Sequence, residues 1–257
     1  MKPYLEPRAG DRDYVMISRN GRYLYAPHFH YNIEVLIVKN GGYVVTCNGK
    51  QYTVQSGDIV LFDCYDIHSY DAVLCGENRD DCVVILPLDY ATRYVQEKND
   101  RTLVSPVVHN PKLAEDLLEL IDRGLSKSLH TESLLSAYTQ LFLALLFPHL
   151  QFAPKSEKDD SNALIRQILF YVNQRFTTPI TLSRIAKDLG YTEAHLSRTF
   201  HRYLRIGIPE FINNMRFAAV QQQLRRHPNK KLVDAVKECG FQSMQTFYRV
   251  KKSQQVK

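Results

Sequence analysis

One spacing, present twice in the carboxy-terminal part of the chain, constrains the fold most. Ala186, Gly190 and Leu196 stand as a small residue, three others, glycine, five others and an aliphatic residue. In a helix-turn-helix the small residue lets two helices approach, glycine accepts the left-handed turn, and the aliphatic residue buries the second helix. Thr192 is placed to cap that second helix. The pattern recurs from Val233 to Arg249, where Gly240-Phe241 matches Gly190-Tyr191, and Arg249 matches Arg198 with an offset of one residue. Between the copies, Ile208-Pro209-Glu210-Phe211 opens a helix running to about Arg226, with Pro209 in its first turn. At ~1.5 Å per residue it is roughly 28 Å long. That length suits two recognition helices set near the ~34 Å between successive major-groove faces of duplex DNA.

Charge is divided in the same way. The net +6 conceals 14 basic and 19 acidic residues up to Pro154, against 19 basic and 8 acidic after it. A basic carboxy-terminal segment behind an acidic partner suits one domain that meets a polyanion and another that meets something else. No apolar run approaches the ~20 residues of a membrane helix, and Met1-Lys2-Pro3 leads into charged residues. Five cysteines form no CxxC and no even framework. The expectation is a cytoplasmic protein with no membrane partner.

Residues 14 to about 90 read as short strands, among them Val35–Val38, Tyr43–Thr46 and Ile59–Phe62, with Asn48-Gly49 as a two-residue hairpin turn. Asn110 to Phe152 changes to helical periodicity, with Pro111 and Thr131 as start signals and an αα-hairpin over about 111–150. The second hairpin helix carries more apolar surface than one face needs, which suits an antiparallel dimer contact or ordinary core packing. Residues 153–161 have the composition of an exposed linker.

Within the strands lie His28, His30, Glu34 and Gly41, then Gly57-Asp58 and His68. With a side-chain period of two, His28, His30 and Glu34 can share one face of a strand. The spacing resembles the first cupin motif, and His68 falls where the second motif places its histidine; Asp63 and Tyr65 replace that motif's Pro and Gly. The resemblance implies a β-barrel over about 14–100. It leaves the four residues open to three roles: binding an organic effector, holding a divalent first-row metal, or packing as structural groups. We carry forward the effector role, with no metal and no cofactor expected.

Ile-Ala-x-x-Leu-Gly-Tyr, His-Leu-Ser-Arg-x-Phe and Cys-Gly-Phe-x-Ser-x-x-x-Phe, read over about 163–250, are similar to the DNA-binding domain of AraC/XylS-type transcription regulators. The implied fold is α+β in two domains: residues 1–152 a cupin-like barrel with a helical hairpin, 162–257 an all-α double helix-turn-helix. Three departures stand out: Arg205 replaces a turn glycine, Lys231 replaces a capping Ser, Thr or Asp, and the chain stops at Lys257 with Lys251 at an aromatic core position. They predict a truncated, less ordered second unit. On the first recognition helix Ala194, Ser197, Arg198, His201 and Arg202 share a face, with Leu196 and Phe200 inward. Arg198 suits a bidentate contact to guanine. Gln245, Thr246 and Arg249 are the counterparts on the second. The expected activity is sequence-specific transcription regulation, not catalysis. The expected partners are double-stranded DNA, a small effector such as a sugar, a second copy of the chain and RNA polymerase; Tyr23, Tyr25, Phe29, Tyr31 and Tyr70 near the histidines would suit a sugar, or serve as plain core. A metal-dependent cupin enzyme with a DNA-binding tail, and a constitutive DNA-binding dimer, are the rival readings.

Overall fold

The structure, a computed structural model, describes residues 3–6, 15–21, 26–73, 79–98, 101–125, 132–154 and 160–255. Tyr23, Tyr25, Thr131 and residues 155–159 of the expected linker lie outside these. The chain divides into two compact units, Pro3–Lys155 and Ser156–Lys257.

The first unit runs β1 (Tyr4–Leu5), β2 (Met16–Arg19), β3 (His28–Phe29), β4 (Ile33–Asn40), β5 (Gly42–Cys47), β6 (Lys50–Gln55), β7 (Asp58–Phe62), β8 (His68–Val73) and β9 (Asp80–Leu86). It continues through α1 (Thr92–Lys98), β10 (Arg101–Leu103), β11 (Val107–His109), α2 (Pro111–Leu120), α3 (Glu132–Leu146) and β12 (Phe152–Pro154). Asn48 and Gly49 both take positive φ, 50° and 80°, and β5 pairs with β6 from Gly42↔Gln55 to Cys47↔Lys50. The expected hairpin is thus present, with a turn whose twist matches its strands.

The strands do not close into the expected barrel. Ten of them form two five-stranded sheets, ordered β1-β3-β8-β5-β6 and β11-β7-β4-β9-β2, β10 pairs with β12 in a two-stranded sheet, and among the described residues no ladder joins the two large sheets. The interior is nonetheless continuous. Tyr43, Val45, Cys47, Val54 and Tyr70 of the first sheet pack with Leu36, Val38, Val60, Phe62 and Val83 of the second. β7 is buried along its whole length and β4 through Val38, because α2 packs against the second sheet. α2 starts where the sequence indicated: the Asn110 side chain accepts from the Leu113 N–H at 3.0 Å, and Pro111 occupies the first turn.

The second unit is helical: α4 (Asp160–Arg175), α5 (Leu182–Leu189), α6 (Glu193–Leu204), α7 (Ile208–Arg226), α8 (Leu232–Glu238) and α9 (Met244–Gln255). α5–α6 and α8–α9 are the two helix-turn-helix units, and α7 lies between them in the chain. Thr181 and Thr192 each accept a backbone N–H at 3.2 Å, capping α5 and α6. Gly190 turns the first unit at φ +76° and Gly240 the second at +88°. Arg205 ends α6 at φ 58°, so the left-handed turn forms there without glycine. Lys231 gives α8 no side-chain cap, as its replacement of a capping residue implied. The second unit does have a core, in which Val220 of α7 packs with Ala235, Val236, Cys239, Phe241, Phe247 and Val250. Lys251 is half-buried.

Candidate functional site

The exposed face of α6 holds the residues named from the sequence. Leu196 and Phe200 are fully buried, and their inward direction turns Ala194, Ser197, Arg198, His201 and Arg202 outward, where all five are exposed. Arg198 has no hydrogen-bond or ion-pair partner among the described residues, so its fork of donors is available. Arg184 is instead engaged by Asp188 at 2.9 Å, and Lys230 by Glu238. On α9, Gln245 and Arg249 are exposed. Thr246 is half-buried and tied into the helix start: its N–H donates to the Ser243 hydroxyl at 3.2 Å, and the two hydroxyls lie 3.0 Å apart. Tyr248 was not singled out from the sequence, yet it is 51% exposed beside Arg249 and three residues from Gln245. Helical spacing from Gln245 was the signal that could have found it.

Arg216 was also missed. It is buried on α7, donating from Nε to the Phe176 carbonyl at 2.6 Å and from Nη2 to the Thr178 carbonyl at 2.9 Å. It thereby fixes the loop between α4 and α5, and burial lowers its pKa.

In the first unit the structure gathers His28, His30, Glu34 and His68 within one buried cluster. The route differs from a single strand with a period of two. His28 lies on β3, opposite His68 on β8. The chain bends after His30 and enters the other sheet, where Glu34 lies on β4 between β7 and β9. The four therefore meet between the sheets. Tyr65, where the cupin motif has glycine, takes φ 62°, which keeps a left-handed turn before His68.

Every ring is oriented from behind. The Nδ1 atoms of His28, His30 and His68 lie 3.0, 2.8 and 2.9 Å from the carbonyls of Ala26, Asn32 and Asp66. A carbonyl only accepts, so each Nδ1 carries its proton and donates, and Nε2 is the ring nitrogen left for another partner. Glu34 Oε2 lies 3.0 Å from His30 Nε2 and 3.6 Å from His68 Nε2, while Tyr70 donates to Oε1 at 2.6 Å. Burial would raise the Glu34 pKa, but the charge of His68 and the hydrogen bond from His30 hold it well below its usual value. Burial would lower His68, and Glu34 reverses this and raises it. Burial, reinforced by His68, brings His28 down to about 4. Of the aromatics considered for a sugar, Phe29 and Tyr70 are buried in the core and Tyr31 donates to Asp89 at 2.6 Å.

Comparison with known proteins places both halves. Residues 15–145 match the AraC-like ligand binding domain, just over half of the chain, and residues 185–254 match a helix-turn-helix domain. The chain belongs to the AraC family of transcription regulators. Among its relatives, the activator RhaS of Enterobacter sp. (strain 638) is 21% identical over 221 residues, covering 83% of this chain and 78% of RhaS. An uncharacterized HTH-type regulator of Staphylococcus aureus is 22% identical over 206 residues, or 76% of this chain; the match takes in only 26% of that protein, so the chain spans about a quarter of its length. Among solved structures, apo ToxT K231A of Vibrio cholerae superposes with a TM-score of 0.52 at 14% identity, covering 93% of this chain and 92% of ToxT. Wild-type ToxT bound to an unsaturated fatty acid gives 0.51 at 15% identity, covering 93% and 89%. In AraC-family terms, the buried cluster lies in the ligand-binding domain, and α6 and α9 lie in the helix-turn-helix domain. None of the described helices is long and apolar enough to cross a membrane.

Proposed function

We propose that this chain is a cytoplasmic, sequence-specific regulator of transcription that reads duplex DNA with α6 and α9 and takes an effector at His28, His30, Glu34 and His68. One observation carries the DNA reading. The exposed face of α6 presents Arg198 unpaired, beside Ala194, Ser197, His201 and Arg202, on a helix clamped by Leu196 and Phe200. Such a face fits the major groove, with Arg198 contacting a guanine edge and Ser197 or Ala194 a smaller edge or a thymine methyl. Gln245, Arg249 and the half-buried Thr246 serve on α9. Lys187, Arg225 and Lys231, all exposed, suit phosphates, which give affinity and salt dependence without selecting sequence. The effector reading is supported by the match of residues 15–145 and by the convergence of four ionisable groups in that domain. ToxT, which shares the fold, is known with a fatty acid bound.

Dimerisation through α3 accompanies this reading. Leu134, Leu141 and Leu145 are 47%, 48% and 38% exposed at spacings of seven and four, the seam of a helix pair.

Footprinting of genomic DNA with the full chain, with and without candidate effectors, tests the proposal. Arg198→Ala should cost roughly 1–3 kcal/mol at the specific site while leaving non-specific binding largely intact. Equal binding of the site by parent and variant would show that α6 is not the reading helix.

A further inference from the structure

We infer that the hollow between α1 and α3 is a ligand site in its own right, for a small apolar molecule bearing one carboxylate. Its volume is about 350 Å³, at the lower end of the range of small-molecule pockets. Tyr94 lines it from α1, and Leu141, Ala144 and Phe147 line it from α3 and the turn that follows; none of His28, His30, Glu34 and His68 does.

One small side chain opens the space. Gln140 and Leu141 stand one turn before Ala144 on α3, and Phe147 and Pro148 one turn after it, so a methyl group lies between two larger pairs on the same face. The walls are fixed before any ligand arrives. Phe147 stacks on Phe152 of β12 with ring centroids 5.1 Å apart, and meets the Tyr94 ring edge-on at 5.9 Å. Tyr94 is buried, and α1 is tied to the turn after β7 by the ion pair of Lys98 with Asp63.

Arg93 decides the chemistry of the occupant. Among the described residues it is the single charged one that lines the hollow. It is exposed while Tyr94 is buried, which puts the charge at the mouth and the apolar surface within. A guanidinium offers five donors in a plane that matches a carboxylate, and an apolar body behind that carboxylate fills the remainder. A second copy of the chain fits less well, because the seam of Leu134, Leu141 and Leu145 brings leucines and no acid to Arg93. The inference concerns the first unit alone and rests neither on the DNA reading of α6 and α9 nor on the effector reading of the four-residue cluster.

The full chain is titrated with phenylacetate and octanoate, and with phenylacetamide as the uncharged control, followed by calorimetry and by the methyl signals of Leu141 and Ala144. We expect one carboxylate per chain, shifts confined to methyl groups around α1 and α3, and at least ~tenfold weaker binding of the amide. Arg93→Gln should weaken both carboxylates by about that factor and leave the amide unchanged. Ala144→Met places a good helix former at an exposed helical position, so it should keep the parent's circular dichroism while filling the hollow and abolishing binding of all three. Carboxylate binding that survives both substitutions, equal binding of acid and amide, or shifts that fall on the His28–His68 cluster overturns the assignment. So does the absence of carboxylate binding at millimolar concentration; if Ala144→Met then also abolishes self-association of the parent, the hollow belongs to a second copy of the chain. Operator binding by Arg198→Ala, retained or lost, bears on the regulator reading alone.

Discussion

Gly190 and Gly240 occupy the same place in the two helix-turn-helix units, yet alanine should cost far more at the second. Both take positive φ, +76° and +88°, where an L side chain costs about 1–2 kcal/mol. At Gly190 an added Cβ meets nothing within 4 Å, so that backbone term is nearly the whole effect. At Gly240 it would lie 2.6 Å from the Thr177 carbonyl oxygen, 2.7 Å from that of Phe176 and 2.8 Å from the Thr177 carbonyl carbon. These are backbone atoms, and the Arg216 guanidinium holds the flanking carbonyls at 2.6 and 2.9 Å, so the loop retreats only by breaking buried charge-assisted bonds. Forced overpacking of this kind costs about 1–3 kcal/mol, so the Gly240→Ala total is roughly 2–5 kcal/mol against about 1–2 for Gly190→Ala. Amide exchange of the full chain in increasing urea, followed by mass spectrometry of peptides from Leu182–Leu204 and Leu232–Gln255, reads each unit separately. Gly240→Ala should release protection in the second set at clearly lower urea, while Gly190→Ala should shift the first set slightly. Equal shifts, or a larger one for Gly190→Ala, would refute the view that the loop at Phe176–Thr178 anchors the second unit.

Arg205→Gly should stabilise the helical unit Ser156–Lys257 by about 0.5–1 kcal/mol, since relief of an L residue at φ 58° outweighs the entropy glycine brings to the unfolded chain; an unchanged or lower melting temperature would count against it. Lys231→Ser should add about 0.5–1 kcal/mol by supplying the missing cap of α8, seen as slower exchange in Leu232–Glu238. Asp188 accepts from the Tyr171 hydroxyl at 2.7 Å and from Arg184 Nε at 2.9 Å, and these bonds hold its carboxyl below the usual 3.8. Its contribution is therefore complete above that value and is lost as pH falls through the lower folded one. Asp188→Asn should flatten the acid-side decline of the urea midpoint, and a decline identical to the parent's would exclude this carboxyl as a source.

Much of the second unit was legible because its signals are local. Thr181, Gly190, Thr192 and Pro209 each act within about one helical turn, so spacing alone located α5, α6 and the start of α7. The same reasoning did not reach what packs behind α8–α9. That core is completed by Val220 of α7, a contribution from outside the repeat. In the first unit the four cluster residues were legible as a motif, but the reason they meet was not. They converge because the chain leaves one sheet after His30 and enters the other before Glu34. Tyr70, which aims Glu34 from 36 residues away, and Arg216, which holds a loop 40 residues away, carry no local signal.

The sequence by itself determined that two helix-turn-helix units exist, which face of α6 is polar and basic, and that His28, His30, Glu34 and His68 form a set. Those are properties of helical period, turn conformation and residue chemistry over short stretches. Only the tertiary structure decided that the strands form two sheets and not a closed barrel, that Gly240 is confined where Gly190 is open, and that His30 and His68 turn Nε2 toward one carboxylate. Each of these depends on which distant backbone carbonyl or packed side chain stands behind a residue, and long-range contacts alone place those partners.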